Sequence, residues 1–438
     1  HLAHHDPLTG LPNRLKFRER LVEACCAARG TGQYIAVLLL EIDRFQLIND
    51  TLGHEAGDNL LRFLARKMKA HLPTGHTFAR FGEDAFIVML PGVSGTAEIE
   101  TVCKRLLALI GEPFPYNGRD LHVTASVGVS VYPNDGADAD TVIRNADTAM
   151  YYAKEKGGNT YRFYRPNMSI WLRERLDLET GLRKALEYGE LAVHYQPIVN
   201  LSDGRISGAE ALMRWRHAEF GDISPNEFIP LAEETGLIHS LGNWILREVC
   251  RQIRNWIRRG FPPLQVTVNI SANQLLQPDF VRLVRDTLEE ARLDPRLLYL
   301  EITENVTMKN VADVIETINE LRRLGVNILI DDFGTGYSWL NYLKKFKVHT
   351  IKIDRSFIQG LSTDKENAAI VTALIGMARR MNIKSLAEGV ETKDQLNFLM
   401  ENGCDQIQGF LVSAPLPPDD FEKFFRNHKG FMVKTAPK

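Results

Sequence analysis

In the second half of this chain, short apolar runs end again and again in a carboxylate, an amide or an ammonium group. Gln196, Glu210, Asn269, Glu301, the pair Asp331 and Asp332, Lys352, Glu388 and Gln408 each close such a run. Polar ends on parallel apolar strands are how a β/α barrel gathers a site at the C-terminal mouth of its strands from positions far apart in sequence. Carboxylate and amide oxygens suit hard cations such as Mg²⁺ or Mn²⁺. Asp331 and Asp332 would repel each other at such a mouth, and one would keep its proton near neutrality unless a cation neutralised both. The pattern predicts metal-assisted hydrolysis. Lys352 is placed to orient a water or a leaving oxygen, and Arg214 to grip a phosphate with its planar fork. Gly334 and Gly336 predict a pliable loop beyond the paired aspartates.

The elements that must position these groups read as LAVHYQPI, ISGAEALMRW, LQVTVNIS, LLYLEITE, VNILIDDFG, TIKID, KSLAEGV and DQIQGF, with amphipathic stretches such as WILREVCRQIRNWIRRG between them. Strand–helix alternation over this length favours a closed barrel rather than an open doubly wound sheet. No GxGxxG turn follows the first strand, which removes the usual dinucleotide-binding reading. The first half alternates strands, a hairpin around Gly82-Glu83-Asp84 and amphipathic helices. The expected fold class is α/β. An α+β domain over residues 1–165 is followed by a helical linker over 166–190, interrupted or kinked near Gly181, and a TIM-like β/α barrel over 191–430.

Composition bounds the partners. A chain of 438 residues with 44% hydrophobic and 25% charged residues reads as two globular domains. With 53 basic against 55 acidic residues there is no global attraction to a nucleic-acid polymer or an anionic membrane, so a phosphate-bearing ligand needs a local site. Five scattered cysteines argue against a disulfide framework and for a reducing, cytoplasmic setting. No run approaches the roughly 20 apolar residues of a membrane span. The chain opens on His1 rather than Met, so we expect a cytoplasmic fragment of a larger protein, and whether a sensor or a membrane anchor lies upstream is left open.

The segments Glu210-Ala211-Leu212-Met213-Arg214-Trp215, VNIS (268–271), EITE (301–304), DDFGTGYS (331–338), KID (352–354), AEGVE (387–391) and QGF (408–410) resemble the EAL-domain family. Its members cleave cyclic di-GMP to the linear dinucleotide pGpG. The resemblance implies that Glu210, Asn269, Glu301 and Asp331 hold a first metal, and that Asp331 and Asp332 hold a second. It implies that Lys352 and Glu388 position or activate the attacking water. Gln196, Arg214 and Gln408 match substrate contacts, and Glu304 matches an anchor for the loop after the paired aspartates. Trp339 departs from the small serine usual in that loop, which bears on regulation.

HHDPLTGLPNR (4–14), EIDRFQLINDTLGHEAGD (41–58), RFGEDAF (80–86) and NADTAMYYAKEKGGN (145–159) resemble the GGDEF family, whose active members condense GTP into cyclic di-GMP. The signature itself reads Gly82-Glu83-Asp84-Ala85-Phe86. Glu83 sets a bulky anion where phosphates would lie and Ala85 removes a carboxylate. Gln46 and Gly158 replace a lysine and an arginine, while Glu41 replaces an aspartate. The resemblance therefore implies a domain without cyclase activity. Asn49, Asp58 and Asp84 match positions that would still hold GTP and a metal, leaving an allosteric GTP site open beside a purely structural role. The inhibitory Arg-x-x-Asp of the family is absent at Pro73-Thr74-Gly75-His76. The expected activity is cyclic di-GMP hydrolysis by a homodimer. The alternative is a non-hydrolysing cyclic di-GMP receptor that signals through the linker helix.

Overall fold

The run Tyr34–Ile42 (β1) has no polar face, so its alternating side chains must be buried on both sides. They are. Ala36, Leu38, Leu40 and Ile42 pack with Leu60, Leu64 and Leu106 of the helices His54–His71 and Thr96–Gly111. Val37 and Leu39 pack oppositely, with Phe17 and Leu21 of Arg14–Thr31 and Val142 and Ala146 of Ala139–Glu155. This is a computed structural model, and it describes residues 4–73, 75–303, 311–334, 348–361, 364–428 and 430. The chain divides into two compact units, His1–Asp177 and Leu178–Lys438.

In the first unit β1 is antiparallel to both Ala85–Val93 (β3) and Ala125–Tyr132 (β6). Thr77–Arg80 (β2) and Tyr161–Phe163 (β7) complete the order β2-β3-β1-β6-β7. Phe114–Tyr116 (β4) and Arg119–Leu121 (β5) form a separate hairpin. Phe81–Asp84 joins β2 to β3, so the altered signature sits on a tight turn. At Gly128 in β6 the helix Ala139–Glu155 lies directly on the sheet, and an added Cβ would stand 2.0 Å from the Ala146 carbonyl oxygen.

The second unit is a ring of strands. Leu191–Asn200 (β8) pairs with Ile206–His217 (β9), which pairs in turn with Gln265–Asn269 (β11). Leu298–Thr303 (β12), Asn327–Phe333 (β13), Thr350–Ile353 (β14), Lys384–Ala387 (β15) and Gln406–Ile407 (β16) continue in parallel, and β16 returns to β8. Gly221–Ile223 (β10) adds to the outer part of β9. One expectation is corrected here. β8 runs antiparallel to both neighbours, because only the short connection 201–205, with its Asp203-Gly204 turn, joins it to β9. Neither Gln196 nor Glu210 is therefore a strand end; each lies mid-strand, directly opposite the other.

A second correction concerns the joint. Pro166–Tyr188 is one helix with no break at Gly181. The glycine is needed for packing instead, since a Cβ there would lie 2.7 Å from His217 Nε2. Leu182 and Ala185 of this helix are buried in the barrel unit's core, and Trp215 donates its indole N–H to Glu190 at 3.0 Å. The packing at Gly128 leads to a prediction for the first unit. Gly128→Ala should destabilise it by about 1–3 kcal/mol, the usual cost of overpacking, read as a lower midpoint in chemical denaturation; an unchanged midpoint would contradict the close helix–sheet contact.

Candidate active site

The ring delivers the polar groups to one end of the barrel. Asn269, the last residue of β11, pairs in register with Glu301 of β12, while Glu210 of β9 stands opposite Thr267 and Gln196. Lys352 lies on β14 and Glu388 follows β15 directly, its N–H donating to the Ile353 carbonyl at 3.1 Å. Gln408 follows β16, its N–H donating to the Ala387 carbonyl at 2.9 Å.

Their side chains form one connected network. Gln408 Nε2 donates to Glu210 Oε2 at 2.6 Å and to Gln196 Oε1 at 2.9 Å. Gln196 Nε2 in turn donates to the Ser413 carbonyl at 3.1 Å, and Asn269 Nδ2 donates to Glu210 Oε1 at 2.8 Å. At the centre the Lys352 ammonium touches Glu301 and Glu388 and lies 3.4 Å from Glu210 Oε2 and 3.6 Å from Asp331 Oδ1. Lys352 and Glu301 are each 1% exposed, so this charge is held almost wholly inside protein.

Burial opposes charge on Lys352, yet Glu210, Glu301, Glu388 and Asp331 hold its ammonium well above the ordinary lysine range. Burial pushes Glu301 well up and Glu388 up, against the pull of Lys352. Asp331 goes the other way: burial works against its charge, but Lys352 and hydrogen bonding hold it below the usual carboxylate range. Asp332 is pushed up to about 6 by burial and then by Asp331 and Asp354. It adopts the left-handed backbone, φ 54°, where the β13–β14 register shifts between Ile330 and Phe333. That local kink separates the two adjacent carboxylates, one facing Lys352 and one felt by Asp354.

These residues fit a divalent cation. With all four carboxylates ionised around one ammonium the formal charge would be −3, which burial resists unless a counter-ion is bound or protons are kept, and the raised Glu301 and Glu388 show that resistance. One ligand oxygen from each of Glu210, Glu301 and Glu388 falls within 4.8 Å of the others. Glu301 Oε2 is shielded from solvent without a hydrogen-bond partner among the described residues, which is the state of an acceptor made for a cation, and Asp331 Oδ1, likewise shielded, has the Lys352 ammonium at 3.6 Å.

Arg214 is half-buried and donates to the neighbouring Met213 carbonyl at 2.8 Å. It lines a cavity of about 450 Å³ with Asn269, Ser271, Ile229 and Glu233, and Asn269, which donates to Glu210, links the cavity to the carboxylate cluster. Sequence reasoning did not single out Glu233 or Asp354. Asp354 stands two residues past Lys352, a usable signal, whereas Glu233 comes from the helix Pro225–Glu234 and had none. Glu304 and Trp339 lie outside the described residues.

In the first unit Asn49 Oδ1 is shielded without a hydrogen-bond partner among the described residues, and a Cβ on Gly57 would sit 2.1 Å from it. Asp58 is half-buried, 3.8 Å from Arg62. Asp84 is raised by burial and then by Glu41. Lys154 pairs with Glu41, and Asp43 accepts from Thr124 at 2.6 Å, Ser126 at 2.7 Å and the Asn159 N–H at 2.9 Å. Arg80 donates to the carbonyls of Gly82 and Glu83, fixing the altered turn.

Two family descriptions match the chain: "EAL domain" over residues 179–415 and "Diguanylate cyclase, GGDEF domain" over residues 3–160. A Pseudomonas aeruginosa protein, the bifunctional diguanylate cyclase/cyclic di-GMP phosphodiesterase MucR, is 41% identical over 418 residues, 95% of this chain and 61% of the relative. The cyclic di-GMP phosphodiesterase NbdA of the same organism is 41% identical over 428 residues, 98% of this chain and 54% of the relative. The chain thus spans between half and two thirds of the length of these curated relatives. A solved structure described as the PaMucR phosphodiesterase in complex with c-di-GMP is 44% identical, with a TM-score of 0.55 over 56% of this chain and 99% of that one. On this evidence the chain belongs to the EAL-domain family and carries a GGDEF domain ahead of its EAL domain.

Proposed function

We propose that the EAL domain of this chain hydrolyses cyclic di-GMP to pGpG, and that the GGDEF domain regulates it without making the cyclic dinucleotide. One observation carries the reading: a buried lysine within reach of four carboxylates, Glu210 and Glu301 buried and Asp331 and Glu388 half-buried, beside a cavity lined by Arg214. The kinship with NbdA and MucR supports the substrate.

Glu210, Asn269, Glu301, Asp331 and Asp332 would hold Mg²⁺ or Mn²⁺. What such cations supply when bound is Lewis acidity against phosphoryl oxygens and the acidification of water. The chain's own residues do the rest. Arg214 presents a guanidinium to the phosphate from the cavity wall. Gln408 and Asn269 fix both oxygens of Glu210, so this carboxylate is oriented before a ligand arrives. Glu388, with its carboxyl raised by burial, is tuned to take a proton from water near neutrality. Lys352 holds Glu388 and Glu301 in place and donates toward the reacting oxygens.

For the first domain, the turn Gly82-Glu83-Asp84-Ala85-Phe86 and the engaged Glu41, Asp43 and Lys154 support loss of synthesis. The unpartnered Asn49 acceptor supports a surviving guanine contact, and hence GTP as an effector. The helical joint 166–190 between domains at 1–165 and 191–430 would carry that effect, in a homodimer as the family resemblance suggests.

Turnover of cyclic di-GMP with Mg²⁺ or Mn²⁺, resolved by chromatography, is expected to give pGpG. Glu210→Ala should abolish it, and Glu388→Gln should lower kcat about a hundredfold or more with ligand binding kept. Binding without cleavage by the unaltered chain would return the receptor reading. Adding GTP should change the rate, and no GTP binding at millimolar concentration would end the effector role. Cation binding needs ionised carboxylates, and those of Glu301 and Glu388 keep their protons above the usual range. Mg²⁺ titrated near neutrality should therefore release protons, and its affinity should fall as pH falls. Calorimetry in buffers of different ionisation enthalpy reads both.

A further inference from the structure

The helix Ile238–Arg258 buries Leu241, Ile245, Val249, Ile253 and Trp256 against the barrel. On another face it carries Arg247, Arg251, Arg254 and Arg258, spaced four, three and four residues apart, a single stripe about 16 Å long at the rise of an α-helix. With Thr287 and Glu290 of the neighbouring helix Phe280–Ala291 these arginines line a groove of about 530 Å³. The groove shares no lining residue with the cavity at the barrel mouth.

Like charges at these spacings repel, so the stripe is unfavourable for the isolated helix. The protein offsets it only in part. Arg251 pairs with Glu248 at 2.5 Å, and Glu290 stands on the groove wall. Arg247, Arg254 and Arg258 have no ion pair among the described residues, and Arg254 Nε is shielded from solvent with no hydrogen-bond partner among them. A shielded donor in a groove of uncompensated guanidinium groups calls for an anion that can accept from several forks at once.

We propose that this groove binds a phosphate-bearing ligand of nucleotide size, at a site distinct from the barrel mouth. Guanidinium forks match phosphate oxygens two at a time, and the half-open groove has room for a small molecule. The same two helices carry Glu248, Asp286, Glu289 and Glu290, which oppose a long polyanion or an anionic bilayer but not a compact one.

The test uses the full chain with a chelator present and inorganic tripolyphosphate as the probe, read by calorimetry. The unaltered chain should show one saturable site that weakens as salt is added. Arg254→Gln with Arg258→Gln should weaken it roughly tenfold or more, as for loss of charge-assisted hydrogen bonds, with melting temperature and cyclic di-GMP turnover unchanged. Arg258→Gln alone, at an exposed position, gives the same direction should the double variant melt early. Equal affinity in all three proteins overturns the proposal. So does arginine-dependent binding of a 20-base-pair DNA duplex, or of phosphatidylglycerol vesicles, where tripolyphosphate does not bind.

Discussion

A lysine ammonium buried to 1% exposure is tolerable only where negative charge surrounds it, and Lys352 is the fixed point of this barrel. Each carboxylate that compensates it comes from a different strand: Glu210 from β9, Glu301 from β12, Asp331 from β13 and Glu388 from the end of β15. Removing one partner strands the others, so the strands' register and the electrostatics of the mouth are one constraint. The amide pair Gln408 and Gln196 extends the same network across the seam where the ring closes between β16 and β8.

Much of this was legible because the site's geometry is topological. Once runs alternate with helices at barrel spacing, strand ends meet, and polar strand ends become neighbours however far apart they lie in sequence. Glu301, Asp331, Lys352, Glu388 and Gln408 could be named on that basis; Glu210 was named with them although β9 runs seven residues beyond it. The reversed direction of β8 was written in the brevity of 201–205 and its Asp203-Gly204 turn, and was passed over because an apolar run has no arrow. Asp332's left-handed backbone and its coupling to Asp354 depend on a register shift that no local pattern encodes. Glu233 enters through the path of a helix, and Gly181 through the close approach of His217; both are facts of packing.

The first unit shows the same principle in reverse. Its two-faced strand β1 and flanking helices are intact, while the turn that would face phosphates has changed charge and bulk. A core tolerates little and specifies the fold, whereas a surface turn held by Arg80 can vary in charge and bulk without loss of shape.

The antiparallel β8 also sets where the chain enters the barrel. Leu191, its first residue, pairs with Trp215, five residues past Glu210 on β9. The strand therefore begins at the mouth end and runs down to the floor, the opposite of its neighbours. The helix Pro166–Tyr188 thus leads into the barrel at its mouth end, where Glu190 holds Trp215. The first residues of the barrel unit therefore lie against the outer stretch of the strand that carries Glu210, not against the floor.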